Sequence, residues 1–474
     1  MNIQTALTSA LTSALLLAGT WSFGQKNSTE KRLDSLFTTL AAQNQFNGSV
    51  LIAEKGKIIY QGGKGYSNEL SKELNDTQTI FELASCSKQF TGVGIALLHR
   101  EKKLDYTDDI TKYFPELSNF KGVTIYDLLR HTSGIPEFLN GFEQDWKNDR
   151  IATNMDVINY YSERKDTLEF APRSQHQYTN TNYVLLAVII ERISGQKWGD
   201  YLTDKIFKPL KMDRTFVYNR RLAPRKLKNY AFGYVWINNS FEKAAEDDQR
   251  VGRMGVYYMD GIYGAAKVNS TVEDLYKWMT AIRNNQLLTQ KEWEEVMELT
   301  QTLKGEKVDY GFGFEVRKGE NTISYGHTGS WDGYITLIHY SSKNDRTVIV
   351  LNNFKNGVCP YETISEIIDN KPCSNEFVKK VDQKEEVIKQ YVGEYADPEN
   401  PDEKHVITYL DGHLIYNTDK ANWDMRFFPS SEAVFQAIRQ GGTNGVIEFT
   451  AQEDGTMKLE MLMYGRVIGK GVRN

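Results

Sequence analysis

Phe81-Glu82-Leu83-Ala84-Ser85-Cys86-Ser87-Lys88-Gln89-Phe90-Thr91 is the stretch from which the rest of the chain is read. It runs into Val93, Ile95, Ala96, Leu97 and Leu98, an apolar segment whose make-up predicts a helix. Ser85 and Lys88 stand three apart, so on a helix they are neighbours on one face. Ser85 falls near the helix N-terminus, where orphan N–H groups and the dipole favour negative charge. A serine hydroxyl is a poor nucleophile until a base takes its proton. An amine one turn away can be that base once burial or neighbours lower its pKa from about 10.4.

The spacing by itself carries little. Ser-x-x-Lys recurs at Ser28-Lys31, Ser118-Lys121, Ser162-Lys165, Ser194-Lys197 and Ser240-Lys243, where a solvated helix or loop is the plain interpretation. Ser85-Lys88 differs in its surroundings. Small and apolar residues precede it, and a core-type helix containing Gly92 and Gly94 follows it. A lysine on a buried helix needs a reason.

A length of 474 residues is more than one ordinary core, so two domains are expected. A net charge of -5 without a Lys/Arg cluster argues against a nucleic-acid partner. Residues 1–25 hold an apolar stretch around Ala10 to Gly19 followed by small residues, which is expected to be a signal peptide although Met1 to Thr20 contains no Lys or Arg. That leader predicts a periplasmic or secreted protein. No later apolar run is long enough for a transmembrane helix. Cys86 is expected to be a small buried side chain. In an exported protein Cys359 and Cys373, on either side of a short helical segment, could form a bridge. No His/Cys/Asp cluster suggests a metal, and no cofactor is expected.

In chain order, Ser28 to Ala42 predicts an amphipathic helix with Leu33, Leu36, Phe37 and Leu40 on one face. Gly48 to Ala53 and Lys57 to Tyr60 predict a hairpin turning at Glu54-Lys55-Gly56. Thr124 and Asp127 predict a capping box, and Gly134 the left-handed stop of that helix. A polar loop then carries Tyr178-Thr179-Asn180 straight into the apolar helix Val184 to Ile193, closed by Gly195. Either Asn180 caps that helix or it faces the same way as Tyr178. Thr215 to Val268 predicts an elaborated loop over a site. Ser270 and Glu273 predict a second capping box for a helix through Ile282. Four antiparallel strands are expected at Gly311 to Val316, Thr322 to Tyr325, Tyr334 to Tyr340 and Arg346 to Leu351. Small residues at Gly326 to Gly333 lie between the second and third of these. A polar linker is expected around Val378 to Glu386. After it come short strands with Asp411-Gly412 and Asp454-Gly455 turns, the pattern of a separate antiparallel β domain.

Ser85-x-x-Lys88, Tyr178-x-Asn180 and His327-Thr328-Gly329 stand in that order, together with Leu129-x-His131-Thr132-Ser133-Gly134. As a set they resemble the serine penicillin-recognising hydrolases, in the branch of class C β-lactamases, D-alanyl-D-alanine carboxypeptidases, D-aminopeptidases and related esterases. The resemblance covers roughly residues 30 to 375. It implies an α/β (α+β) fold: a β-lactamase/transpeptidase-like antiparallel sheet flanked by helices, plus a helical subdomain with the site between. The tail from Tyr391-Val-Gly-Glu-Tyr395 resembles the small C-terminal lipocalin-like antiparallel β domain of some members. The expected domains are therefore 28–378 for the hydrolase and 384–474 for the β domain.

The resemblance also implies roles. Ser85 would form an acyl-enzyme, with either Lys88 or Tyr178 taking its proton. Asn180 would hold the substrate amide and place Lys88. Backbone N–H groups of Ser85 and Ser330 would bind the oxyanion, and His327, Thr328 and Gly329 would line the substrate. His131 is expected to be structural. The expected partner is a small-molecule or peptide substrate carrying an amide, ester or β-lactam carbonyl, and some relatives form homo-oligomers. The common third motif has lysine where this chain has His327. A histidine with pKa near about 6.5 is mostly neutral at pH 7, so a fixed cation for a substrate carboxylate is missing. That favours small esters or peptides, including D-residues, over β-lactams, unless arginines between Arg214 and Arg253 replace the charge. The competing interpretations are a penicillin-binding sensor or scaffold that acylates or binds without turnover, and an interaction protein acting through the β domain.

Overall fold

The computed structural model describes residues 28–42, 44–147, 149–237, 240–243, 256–355, 357–373, 381–402, 404–418, 425–438, 444–463 and 466–473. The leader at 1–25 lies outside these residues, and so do residues 378–380 of the expected linker. No helix among the described residues is long and apolar enough to cross a membrane.

The Val50-Leu51-Ile52-Ala53 run is apolar at every position, and the reason is that both faces of its strand are covered. Strands β1 (Gly48–Glu54) and β2 (Lys57–Lys64) form the expected hairpin. β1 also pairs antiparallel with a strand about 300 residues later in sequence, Gly48 opposite Asn352 and Glu54 opposite Arg346. The complete sheet runs β3 (Glu315–Lys318), β4 (Ile323–Trp331), β5 (Tyr334–Ser341), β6 (Arg346–Asn352), β1, β2, with every neighbour antiparallel. Val50, Ile52, Val348 and Val350 face the amphipathic helix at 28–42 and helix Tyr361–Ile368. Leu51, Ala53, Ile338, Ile349 and Leu351 face the larger core.

That larger core is helical. Helix α1 (Lys88–Arg100) is buried over its first three turns and packs on helix α2 (Asn180–Ser194), which is apolar nearly all round. A Cβ at Gly92 would lie 2.3 Å from the Phe312 carbonyl oxygen, so only glycine lets α1 sit this close to that backbone. Residues from Gly393 to Arg473 close an eight-stranded antiparallel barrel, sealed where Ala396 pairs with Val472. Tyr395, Ile407, Phe427, Phe435 and Leu459 fill it, as expected at this strand number. Asp411-Gly412 is a two-residue turn with both φ positive, the geometry that suits a twisted hairpin. Phe428 of the barrel joins the core beneath helix 28–42.

Several expected boundaries move. The strand expected at Gly311 to Val316 begins at Glu315, because Gly313 takes φ +77 and turns its backbone against Lys88. The strand expected at Thr322 to Tyr325 begins at Ile323 and runs on through the small residues after it to Trp331, as β4. The helix after Thr124 does have its capping box, but it ends at Leu129, so the left-handed residue that follows its cap is His131; Gly134 is left-handed as expected (φ +74) but lies three residues further on. The later helix (Val272–Arg283) is capped by Thr271 with Asp274, one residue beyond the expected pair; Glu273 instead accepts from Thr77. The expected linker contains helix Glu385–Lys389. All three cysteines are free. Cys359 and Cys373 flank an eight-residue helix whose rise of about 12 Å exceeds the reach of a disulfide.

Candidate active site

Ser85 stands in a 3-10 turn, Ala84–Ser87, that feeds directly into α1. Ala84 has φ +49, a left-handed conformation that costs a non-glycine residue about 1–3 kcal/mol. The surroundings hold it there. Leu83 donates its N–H to Val268 O at 2.9 Å, Thr336 Oγ1 donates to Leu83 O at 2.9 Å, and Ser87 Oγ accepts from Val268 N at 3.1 Å. β4 passes behind the turn. A Cβ at Gly329 would lie 2.5 Å from Leu83 O and 2.3 Å from Thr336 Oγ1. The small residues from Gly326 to Ser330 are therefore part of a strand pressed against the serine turn. Gly329→Ala is expected to displace that turn and lower kcat about 10²-fold, the usual effect of a 1 Å misplacement. Steady-state kinetics check this, and wild-type kcat would refute the coupling of strand to turn.

Lys88 is fully buried, and its Nζ lies 3.1 Å from Ser85 Oγ, 2.8 Å from Asn180 Oδ1 and 3.1 Å from Ala265 O. The two carbonyl oxygens can only accept, so they take two N–H bonds. The third direction points at the serine hydroxyl. Burial pushes the amine down to about 7, against the pull of the Glu137 carboxylate. A neutral amine so placed has a lone pair to receive the Ser85 proton.

Asn180 is the first residue of α2, and Thr179 takes the cap position. The Asn180 side chain is thus free for the site: Oδ1 accepts from Lys88 and Nδ2 donates to Glu137 Oε2 at 3.1 Å. Glu137 caps helix Phe138–Asp145 through Leu139 N and also accepts from Asn180 N at 2.5 Å. Burial raises its carboxyl pKa, while those N–H bonds and Lys88 oppose the rise. Sequence reasoning missed this residue. The available signal was a carboxylate directly after Pro136, beside Ser133-Gly134, in a chain that needs a counter-charge for a buried lysine.

Tyr178 lays its ring 4.8 Å from Lys88 Nζ and 4.4 Å from the His131 ring. Part of the ring stays open to solvent, but enclosure of the hydroxyl end pushes the phenol well above 10, although nearby Ser85 draws it down. His327 is buried within 6.2 Å of the Tyr178 ring, and burial holds it below the ordinary histidine range although Glu315 opposes that. Thr328 is exposed, and its hydroxyl donates to Glu315 at 2.9 Å. Ser330 shares with Ser85 and Asn180 a cavity of about 70 Å³, whose remaining wall is apolar at Phe138, Leu139, Met259, Ile262 and Trp331 and holds one cation, Lys267, which is buried in ion pairs with Glu82 and Asp260. Ser85, Lys88, Tyr178 and Asn180 are thus in direct contact, with Gly329 and Ser330 beside them, while His327 and Thr328 sit one layer further along β4.

Among the described loop arginines, Arg220, Arg221 and Arg225 are engaged elsewhere and do not stand in for the missing lysine. Arg220 and Arg221 are buried in ion pairs with Asp332, and Arg221 also reaches Asp260. Arg225 lies over Phe216 and Tyr218; Arg250 and Arg253 fall outside the described residues. Among the described residues no group of three or more His, Cys, Asp or Glu is arranged to hold a metal.

The profile of the Beta-lactamase family matches residues 33–361. Penicillin-binding protein 4* of Bacillus subtilis (strain 168) is 34% identical over 438 residues, 90% of this chain and 95% of its own length. The teichoic acid D-alanine hydrolase of Staphylococcus aureus is 26% identical over 329 residues, 69% of this chain and 74% of its own. The octameric penicillin-binding protein homologue from Pyrococcus abyssi superposes with a TM-score of 0.60 at 22% identity, covering 94% of this chain and 99% of that one.

Proposed function

Since this chain belongs to the Beta-lactamase family, we propose that it is an exported serine hydrolase that works through an acyl-enzyme on Ser85, and that it takes small esters or amides, D-alanyl groups among them, in preference to β-lactams. The observation that carries this is Lys88 Nζ, held by two carbonyl oxygens with its third direction on Ser85 Oγ.

In the first step Ser85 Oγ bonds to the substrate carbonyl carbon and its proton moves to Lys88 Nζ. The resulting oxyanion lies against the N–H groups of Ser85 and Ser330, where each donor is worth about 10²–10³ in rate. Lys88 is the base because its amine sits about 7, whereas the Tyr178 phenol keeps its proton. Tyr178 then passes its proton to the leaving oxygen or nitrogen as the Lys88 ammonium hands the Ser85 proton on to it, so both groups end neutral and can later help a water release the acyl group. Asn180 holds both Lys88 and the substrate amide. Residues 28–378 carry this chemistry, and every residue that lines the Ser85 cavity belongs to them.

The substrate preference rests on His327. A buried neutral imidazole gives no fixed charge to a carboxylate, Lys267 is held in its ion pairs, and the small, largely apolar cavity suits a short acyl group. A relative's name, teichoic acid D-alanine hydrolase, agrees with an ester of a D-residue. The test is kcat/KM for a D-alanyl ester, a D-aminoacyl anilide and a cephalosporin, with His327→Lys alongside. The ester or anilide is expected to exceed the cephalosporin, and lysine to raise the cephalosporin value about tenfold or more, as a charge-assisted bond would. A wild type that prefers the cephalosporin, with no gain from lysine, would overturn the preference.

A further inference from the structure

Behind Tyr178 three buried side chains form a hydrogen-bonded chain: His131, Tyr310 and His327. Tyr310 Oη is 3.2 Å from His131 Nε2 and 3.2 Å from His327 Nε2. Its ends fix the direction. The Thr179 backbone N–H donates to His131 Nδ1 at 3.2 Å, so that nitrogen carries no proton. The His131 proton is then on Nε2 and points at Tyr310 Oη. Tyr310 has one proton, which goes to His327 Nε2. The His327 proton is therefore on Nδ1, where Thr328 O lies at 2.5 Å and Glu315 Oε1 at 3.6 Å, both of them acceptors. With both histidines neutral, only this arrangement satisfies every partner.

We infer that His131 and Tyr310 are positioning residues which lock His327 as its neutral Nδ1–H tautomer and so keep that wall of the site uncharged towards substrate carboxylates. A proton added at His327 Nε2 would face a Tyr310 oxygen already receiving one from His131. Tyr310 would then have to swing its own proton off His327, towards the Tyr183 hydroxyl that lies beside it and already donates to Leu129 O. The Tyr183 oxygen can accept there, so the swing trades one hydrogen bond for another, and the cost of the charged form is an imidazolium held among buried side chains. The other groups that bear on His327 are Glu315, which favours its protonation, Lys88, which opposes it, and the Tyr178 ring. The Cys86 thiol donates to the His327 carbonyl oxygen and leaves the imidazole untouched. Glu315 is about half exposed and water-screened, so the lock outweighs it.

The carboxylate half of this inference rests on the Ser85 reading; the tautomer half does not. The test is histidine-selective 15N labelling of the full chain, with long-range 1H–15N spectra from pH 5 to 8. Single histidine substitutions assign the signals. Wild type is expected to show His131 as Nε2–H and His327 as Nδ1–H, neither titrating in that range. Tyr310→Phe is expected to bring the His327 signal into titration. The same variant at pH 5.5 should gain several-fold in kcat/KM on an acyl-D-alanyl-D-alanine relative to its C-terminal amide. His327 found as Nε2–H or as imidazolium in the wild type would overturn the lock, and that measurement needs no variant to fold. Identical titration in wild type and Tyr310→Phe would overturn the role of Tyr310. An unchanged substrate ratio would overturn the specificity role alone.

Discussion

Ser85→Ala reduces hydrolysis of every accepted substrate to background and leaves the fold intact. Losing the nucleophile of a serine hydrolase costs about 10⁶ in kcat. The Ser85 side chain is only partly buried, and its contacts are with Lys88 and Tyr178. Removing it therefore takes little from the packing. Ser87, two residues on, has the opposite profile. It is fully buried, and its Oγ satisfies the Val268 N–H. Ser87→Ala leaves that donor unpartnered, which costs about 1–3 kcal/mol, so it lowers Tm and keeps the chemistry. Kinetics and thermal unfolding on both variants separate the two roles. An active Ser85→Ala beside an inactive, stably folded Ser87→Ala would exchange the assignments.

Lys88→Met lowers acylation about 10²–10⁴-fold, the range for losing a general base. Methionine keeps the apolar stem and removes an amine that burial penalises, so Tm stays level or rises. The wild type should also show a pH profile that the variant lacks. The folded amine titrates near 7, so below that pH the proton occupies the lone pair and kcat/KM falls about tenfold per unit. Above it the rate levels. Stability follows the same group with the opposite reference. The unfolded lysine holds its proton up to about 10.4 while the folded one releases it near 7, so this residue makes stability rise with pH between those values. Glu137→Gln removes the charge that raises the amine and is expected to move the acid limb of the profile to lower pH. An acid limb unchanged in Lys88→Met would assign the titration to another group.

What the sequence carries most plainly is local. The Leu33, Leu36, Phe37, Leu40 face, the Asp411-Gly412 turn and the apolar α2 follow from periodicity and turn chemistry, and each has the expected structure. Ser85 and Lys88 are legible for the same reason, since one helical turn brings them together. What is not legible depends on distant segments. That position 329 must be glycine follows only from the serine turn pressed against β4. Glu137 acquires its role only when α2 places Asn180 between it and Lys88. Tyr310 meets His131 from 179 residues away. The choice between Lys88 and Tyr178 as base is likewise a matter of enclosure, which no spacing encodes.

The central claim is a transient acyl bond on Ser85, and mass spectrometry of the quenched enzyme tests it most directly. Wild type mixed with a D-alanyl ester, quenched within its first turnovers and digested, should carry the acyl mass on the peptide containing Ser85 and Ser87. Fragmentation should place it on Ser85, and the mass should vanish once substrate is exhausted. An adduct on Ser87, or turnover with no adduct at any quench time, would contradict the account; an adduct that persists without turnover would make the protein a sensor.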